Sequence, residues 1–219
     1  MKIGVFDSGK GGTTVLTEIE KAMPTAEYQY IGDSENCPYG DKSDEELMRI
    51  VRGHTERLKN WGARIIVIAC NTATTRCIAR LRAMYPEIEF VGTEPAVKLA
   101  AESGAKKILV MATAGTIASE RTRQLTRENQ KPGQEIYLLP CPGLADAIEK
   151  NEKPDETLDA VLADYLETQK QPDAVVLGCT HYSLIKEKIA KHFPDAKIID
   201  GNIGVKNRVL EIIKRMEKQ

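Results

Sequence analysis

Short apolar runs alternate along the chain with longer stretches whose apolar residues recur at helical spacing. The runs predict strands at 2–6, 27–31, 64–69, 88–91, 107–111, 135–139, 174–177 and 197–199. Helical spacing predicts helices at 15–23, at 43–61 behind the capping sequence "SDEE", and finally over the residues Val205, Val209, Ile212, Ile213 and Met216. Strands that alternate with helices predict an α/β fold whose mostly parallel sheet is covered on both faces.

A weak internal repeat underlies this alternation. The segment "IGVFDSGKGG" beginning at Ile3 corresponds to "ILVMATAGT" beginning at Ile108, an offset of 105 residues, and Cys70 corresponds to Cys179 at an offset of 109. Two independent pairs at nearly one offset predict two similar domains, each a mostly parallel sheet flanked by helices. Binding sites often form between such halves, so we expect the functional site there.

Two apolar runs end in the same unusual way. "IIVIACNTAT" at 65–74 and "VVLGCTHYS" at 175–183 each end on a cysteine that small polar residues follow. Open α/β sheets bind ligands at the carboxyl ends of their strands. A single cysteine is most often a small buried apolar residue, but the pairing favours a chemical role for Cys70 and Cys179. The ordinary interpretation is kept for Cys37, Cys77 and Cys141.

Composition narrows the class of protein. The 219 residues carry a net charge of −1 that is scattered along the chain, and aromatic residues make up 5%. These values indicate no nucleic-acid or membrane surface, and no apolar run approaches the ~20 residues of a membrane helix. The chain starts directly on a strand without a signal peptide's apolar core. Five irregularly spaced cysteines without a CxxC pair predict reduced thiols in the cytoplasm, with neither disulfides nor a metal site.

The glycine-rich loop after the first strand invites a nucleotide-binding interpretation. "GVFDSGKG" fits the phosphate-loop pattern from Gly4 to Lys10, but Gly11 stands where that loop needs Ser or Thr for magnesium. Asp7 lies inside the loop, where a carboxylate would repel phosphate. A nucleotide hydrolase is therefore disfavoured. Asp7 or Ser8 caps the following helix, or Ser8 and the loop amides bind an anionic group of a small ligand.

Seven segments in order make the chain resemble the glutamate racemases of the cofactor-independent aspartate/glutamate racemase family. They are "GVFDSGKGG" (4–12), "CPYGDKS" (37–43), "ACNTAT" (69–74), "EPAVK" (94–98), "ATAGTIAS" (112–119), "CPGLADAIE" (141–149) and "LGCTHYS" (177–183). The chain departs from the family pattern at Lys10, Thr13, Ser183 and in "IDGN" at 199–202. The departures avoid both cysteines of the proposed pair.

The resemblance implies a fold, an activity and a setting. It implies two α/β domains, which we place at 1–92 with 203–219 and at 93–202, and a site between them. The implied activity interconverts L- and D-glutamate, supplies D-glutamate for peptidoglycan and needs no pyridoxal phosphate, nucleotide or metal. The implied partner is the small-molecule substrate, with no nucleic acid and no membrane. A cytoplasmic homodimer is the implied form.

Inverting an α-carbon calls for two bases on opposite faces of the substrate. Each acts as the base in one direction of the reaction and, once protonated, as the acid in the other direction. A free thiol has a pKa of ~8.5 and needs a neighbour that accepts its proton. The resemblance assigns Asp7 beside Cys70, and His181 with Glu149 beside Cys179. Neutral donors would stabilise the negative charge that develops on the substrate. The expected substrate-binding residues are Asp7, Ser8, Pro38, Tyr39, Gly40, Asn71, Thr72, Thr113, Thr116, Thr180 and His181.

Several alternatives stay open at this point. The nearest is a sister racemase acting on aspartate, because sequence does not show the volume of the substrate pocket. A different class is a non-catalytic amino-acid-binding protein on the same fold, although it would not need both cysteines. Glu149 is either a site residue or an ordinary solvated acid at a helix end. His54 and His192, on helices, are expected at the surface.

Overall fold

The computed structural model describes residues 1–168 and 171–218. The chain forms two units, each built on a four-stranded sheet. The first unit contains β1 (Lys2–Asp7), α1 (Thr13–Ala22), β2 (Glu27–Gly32), α2 (Asp44–Trp61), β3 (Ile65–Ile68), α3 (Asn71–Met84) and β4 (Glu89–Gly92). Two short 3-10 turns, Ser34–Asn36 and Tyr39–Asp41, lie between β2 and α2. The predicted elements are confirmed, with ends that differ by one or two residues.

The second unit repeats the alternation with shorter helices. It contains α4 (Val97–Glu102), β5 (Lys107–Ala112), α5 (Ala114–Ala118), α6 (Glu120–Asn129), β6 (Glu135–Pro140), α7 (Leu144–Lys150), α8 (Pro154–Thr168), β7 (Ala174–Leu177), α9 (Thr180–Leu184), α10 (Lys186–His192) and β8 (Lys197–Ile199). A last helix, α11 (Asn202–Met216), follows. The helices of the described chain include none with the length and apolar character of a membrane span.

Both sheets are parallel and have the same strand order. The orders are β2-β1-β3-β4 and β6-β5-β7-β8. Ile3 in β1 lies opposite Ile65 in β3, and Ile108 in β5 lies opposite Ala174 in β7. The equivalent residues of the two sheets, Ile3 with Ile108 and Ile65 with Ala174, are separated by the repeat offsets of 105 and 109 residues. The prediction of two similar α/β halves is therefore confirmed.

The central strands are apolar throughout because helices cover both faces of each sheet. All four residues of β3 and of β7 are buried. On one face of the first sheet, Val205 and Val209 of α11 join Ile3 and Val5 in one apolar cluster. The last helix therefore packs on the first sheet, although it follows the second in sequence. The residue boundaries of the two domains stay a prediction.

Helix α2 shows how local sequence fixes an element end. The Ser43 hydroxyl accepts a hydrogen bond from the Glu46 N–H at 3.2 Å, and acids occupy the first turn as the helix dipole favours. Gly62 ends the helix with a φ of 101°, which other residues rarely adopt. The capping sequence "SDEE" thus marks the helix start that it predicts.

Candidate active site

The carboxyl ends of the two sheets face each other. Asp7 ends β1, Cys70 immediately precedes α3, and Cys179 immediately precedes α9. The Thr180 hydroxyl of the second unit lies 3.2 and 3.3 Å from the two carboxylate oxygens of Asp7 in the first. The polar residues that follow the central strands are therefore brought together at the junction of the two units, which we call the cleft.

Both cysteines of the predicted pair are buried, with 5% of Cys70 and 8% of Cys179 exposed. Burial, and then the charge of Asp7, raises the pKa of Cys70 to about 12, against donors from Ser8 and the first amides of α3. Burial also raises the pKa of Cys179 well above its ordinary value, and the nearness of Cys70 raises it further. Both thiols thus hold their protons at neutral pH in this structure.

Asp7 is fully buried beneath the cleft. Burial raises the pKa of its carboxyl group, whereas His181, the Gly12 N–H and the Thr180 hydroxyl act in the opposite direction. The Gly12 N–H donates to the Asp7 carboxylate at 2.8 Å. A carboxyl group with a raised pKa can take up and return a proton closer to neutral pH than an ordinary aspartate.

On the other side of the cleft, Cys179, His181 and Glu149 form a continuous chain. The Nδ1 atom of His181 lies 3.8 Å from the Cys179 sulfur, and its Nε2 atom lies 2.8 Å from Oε2 of Glu149. Burial alone would raise the pKa of Glu149, but donors from Ser34, Lys10 and His181 together lower it. The ionised Glu149 carboxylate therefore orients the imidazole toward the thiol.

Three threonine hydroxyls form a cluster that spans both units. The Thr72 hydroxyl lies 2.9 Å from that of Thr113 and 3.0 Å from that of Thr116. The Thr113 hydroxyl also accepts from the Thr116 N–H at 3.2 Å and thereby caps α5. Because hydroxyls can rotate to donate or accept, this cluster can turn donors toward a bound anion.

Asn71 presents a free donor at the start of α3. Within the described residues, its Nδ2 atom is buried and has no hydrogen-bond partner. An unsatisfied buried amide costs ~1–3 kcal/mol, a cost that a ligand oxygen would remove. The Asn71 amide is therefore suited to donate a hydrogen bond to a carboxylate of a ligand in the cleft.

The glycine loop approaches the second unit so closely that side chains would not fit. A Cβ atom on Gly11 would lie 2.6 Å from the backbone nitrogen of His181, and one on Gly9 would lie 2.5 Å from Oε2 of Glu149. This loop is thus a contact between the two halves of the cleft, and Gly11, which meets backbone atoms, is needed for that contact.

Comparisons with known proteins agree with this geometry. A sequence profile of the family described as Asp/Glu/Hydantoin racemase matches residues 6–204. The chain belongs to this family. A glutamate racemase of Clostridium novyi is 42% identical over 208 residues, which cover 93% of this chain and 80% of that protein.

Solved structures of the racemase family share the fold. The Escherichia coli glutamate racemase with L-glutamate and the activator UDP-MurNAc-ala superposes with a TM-score of 0.87 at 30% identity, over 97% of this chain and 82% of that one. The Bacillus anthracis isoform RacE1 gives 0.83 at 32% identity, over 98% and 82%. An aspartate racemase of Picrophilus torridus is 18% identical with a TM-score of 0.62, which shows the fold alone.

The remaining residues that we expected at the racemase site have mixed surroundings. Gly40 lies against Thr113, since a Cβ on Gly40 would be 3.0 Å from the Thr113 Cβ, and Pro38 precedes it in the same partly buried segment. The Tyr39 hydroxyl donates to Asp33 at 2.7 Å. That hydroxyl is also 3.1 Å from Nε2 of His54. The Tyr39 hydroxyl is therefore already engaged by residues of its own unit.

The surface placement expected for His54 is wrong. Only 17% of its side chain is exposed, and its Nε2 atom lies 3.0 Å from Asp33. Glu149 likewise has 9% of its side chain exposed, so it is not an ordinary solvated acid. The sequence analysis did not identify Ser34, which donates to Glu149, because no spacing rule connects residues 115 positions apart. The catalytic and binding roles assigned to the site residues stay predictions.

Proposed function

We propose that this chain is a glutamate racemase that inverts the α-carbon by proton transfer between two thiols. The observation that carries the proposal is that Cys70 and Cys179 lie at equivalent strand ends of two repeated sheets, close enough for Cys70 to raise the pKa of Cys179. Each thiol has its own neighbouring group for proton exchange. An identical acid–base group on each face suits a reversible reaction whose end states are nearly equal in energy.

We assign the L-glutamate face to Cys179. His181 takes the thiol proton through Nδ1, and the Glu149 carboxylate at 2.8 Å from Nε2 stabilises the imidazolium that forms. The resulting thiolate removes the α-proton of L-glutamate. Cys70, protonated at that moment, delivers its proton to the opposite face to form D-glutamate.

The D-glutamate face belongs to Cys70 by the same logic. Asp7 accepts and returns the Cys70 proton, a role that its buried position and raised pKa favour. The negative charge of one sulfur disfavours ionisation of the other, because Cys70 raises the pKa of Cys179. The cleft thus favours one thiolate and one thiol together, which is the pair that each direction of the reaction requires.

The α-proton of an amino acid is very weakly acidic because the adjacent carboxylate accepts little further charge. Fixed donors must therefore stabilise the developing dianion. The free amide of Asn71, the threonine cluster and the Thr180 hydroxyl supply them. The start of the 14-residue helix α3 adds a favourable dipole on the Cys70 side.

The substrate and biological setting complete the proposal. Glutamate is favoured over aspartate because the curated relatives at 37–42% identity are named glutamate racemases. A non-catalytic amino-acid-binding protein would not need two thiols with separate proton-exchange groups. D-glutamate supply for peptidoglycan, a cytoplasmic location, a homodimer and activity without cofactor or metal belong to the same proposal.

The test is chiral chromatography of L-glutamate and L-aspartate incubated with the reduced protein in deuterated water. We expect D-glutamate that carries deuterium at Cα, while early unreacted L-glutamate keeps its protium. Cys70→Ala and Cys179→Ala should each abolish racemisation because every turnover needs both an acid and a base.

The matched control is Cys77→Ala, since Cys77 is 2% exposed in the apolar core of the first unit. This variant should lose packing stability and keep racemase activity. A Cys70→Ala protein that racemises at the unaltered rate would refute the two-thiol mechanism. Faster turnover of aspartate than of glutamate would favour the sister activity.

A further inference from the structure

A third thiol stands beside the proton-transfer groups without a role in the reaction. Cys37 lies between the two 3-10 turns, partly buried. Its sulfur, a carboxylate oxygen of Glu149 and a ring nitrogen of His181 all lie within 4.8 Å of one another. The resemblance paired Glu149 with His181, but nothing in the sequence indicated that Cys37, from a distant segment of the other unit, would join them.

The three atoms are sulfur, nitrogen and oxygen, a donor set that zinc accepts. Zinc binds cysteine sulfur at ~2.3 Å and histidine nitrogen or carboxylate oxygen at ~2.0–2.2 Å, with tetrahedral geometry. Such ligands are about 3.3–3.6 Å apart around one ion. The His181 and Glu149 atoms, 2.8 Å apart, need to separate only slightly to admit it.

The surroundings of Glu149 hold its carboxylate in position. The Glu149 carboxylate is held in place by the Lys10 N–H at 2.9 Å and by the Ser34 hydroxyl. Groups that hold a ligand in this way orient it for a metal.

We propose that Cys37, Glu149 and His181 form an inhibitory binding site for a soft divalent cation, with Zn²⁺ as the cation of choice. On binding, the Cys37 thiol releases its proton to solvent, and the thiolate lone pair forms the Zn–S bond. Neutral His181 contributes a nitrogen lone pair, Glu149 contributes an oxygen, and water takes the fourth position. No oxidation or reduction occurs.

Inhibition follows from the use of His181. A neutral imidazole bound to zinc through Nε2 carries its proton on Nδ1, the nitrogen that lies 3.8 Å from the Cys179 sulfur. His181 can then no longer accept the Cys179 proton, and its hydrogen bond to Glu149 is lost. Inhibition therefore rests on the proposed function, but metal binding does not. The proposed racemisation needs no metal, so a cation at this site would inhibit the reaction and would not be required for it.

The binding test uses Co²⁺ as a spectroscopic substitute for Zn²⁺ on the reduced, metal-free protein. We expect one Co²⁺ per chain with a thiolate-to-cobalt band that Zn²⁺ displaces. Cys37→Ser should lose that band and weaken binding at least about tenfold, since a displaced ligand costs at least as much as a lost supporting contact. Cys77→Ser should bind like the unaltered protein. A Cys37→Ser protein that keeps the band and the affinity would overturn the proposal.

The activity test separates the site from the reaction. Zn²⁺ should lower the racemisation rate, and a chelator should restore it. Cys37→Ser should racemise at the unaltered rate without zinc and require at least about tenfold more Zn²⁺ for half-inhibition. Equal sensitivity of the two proteins would contradict an inhibitory site at Cys37. If the protein racemises neither amino acid, the proposed function fails, and the cobalt titration still decides the metal site.

Discussion

The contact of the glycine loop with the second unit predicts that Gly11→Ala impairs turnover. The added Cβ would lie 2.6 Å from the His181 nitrogen, 2.8 Å from the Thr180 carbonyl carbon and 2.8 Å from the Thr180 hydroxyl. Two of these three atoms belong to the backbone, so no side-chain rotation relieves the contact. The two units must therefore separate locally for the methyl group to fit.

The size of this movement follows from the same distances. Ordinary contacts of a Cβ begin at 3.4 Å, so the approach to the His181 nitrogen is 0.8 Å too close. Displacement of reacting groups by about 1 Å costs on the order of 10²-fold in rate. We expect kcat to fall about 100-fold in both directions, and the free energy of unfolding to fall by about 1–3 kcal/mol from overpacking.

The assay is circular dichroism of L- and D-glutamate at saturating substrate, together with urea unfolding. Gly53→Ala is the matched control, because a Cβ on Gly53 in helix α2 would meet nothing within 4 Å. That variant should keep kcat and gain about 0.5–1 kcal/mol of stability. A Gly11→Ala protein whose kcat stays within twofold of the unaltered value would refute the argument that this contact positions the cleft.

Two further predictions concern stability. Burial raises the pKa of Cys141 to about 12 from 9.0, so the folded state keeps a proton that the unfolded chain loses. Its contribution to stability is full below pH 9 and is lost as the pH rises toward 12, by up to about 1.4 kcal/mol per pH unit. Urea unfolding of Cys141→Ala should therefore show a shallower alkaline decline, and an unchanged slope would contradict this. Tyr39→Phe removes the donor to Asp33 at 2.7 Å and should lower the free energy of unfolding by about 1.5–3 kcal/mol at neutral pH. The control Tyr137→Phe changes a residue that is 42% exposed and should lower it little. Equal losses of stability in the two variants would contradict this prediction.

Local pattern was enough to predict the sheets and the two strand-end cysteines. Buried parallel strands such as β3 and β7 are apolar at every position, and residues after them necessarily lie at one edge of the sheet. Cys70 and Cys179 could thus be placed from short segments, with the repeat offset joining them. The resemblance assigned Asp7 and Thr180 to one site, in contrast, but no local pattern predicted their contact at 3.2 Å.

Contacts between distant loops were beyond the reach of the sequence. His54 contacts Asp33 because one face of α2 packs on the segment after β2, where Tyr39 also binds Asp33. The periodicity of the sequence does not show which face of the helix packs there. The same holds for Cys37, for which the sequence analysis kept the ordinary interpretation of a small buried apolar residue. Cys37 approaches Glu149 only where the two units pack together, and that packing depends on the whole fold.

The matching strand order of the two sheets has a consequence for symmetry. Two equivalent halves present the same kind of thiol twice, which suits a reaction whose substrate and product are mirror images. The neighbours of the thiols break this symmetry, because by the repeat offsets Ala112 stands in the place of Asp7, and Thr72 in that of His181. The repeated sheets thus supply two equivalent thiols, and the loops give each thiol a different companion.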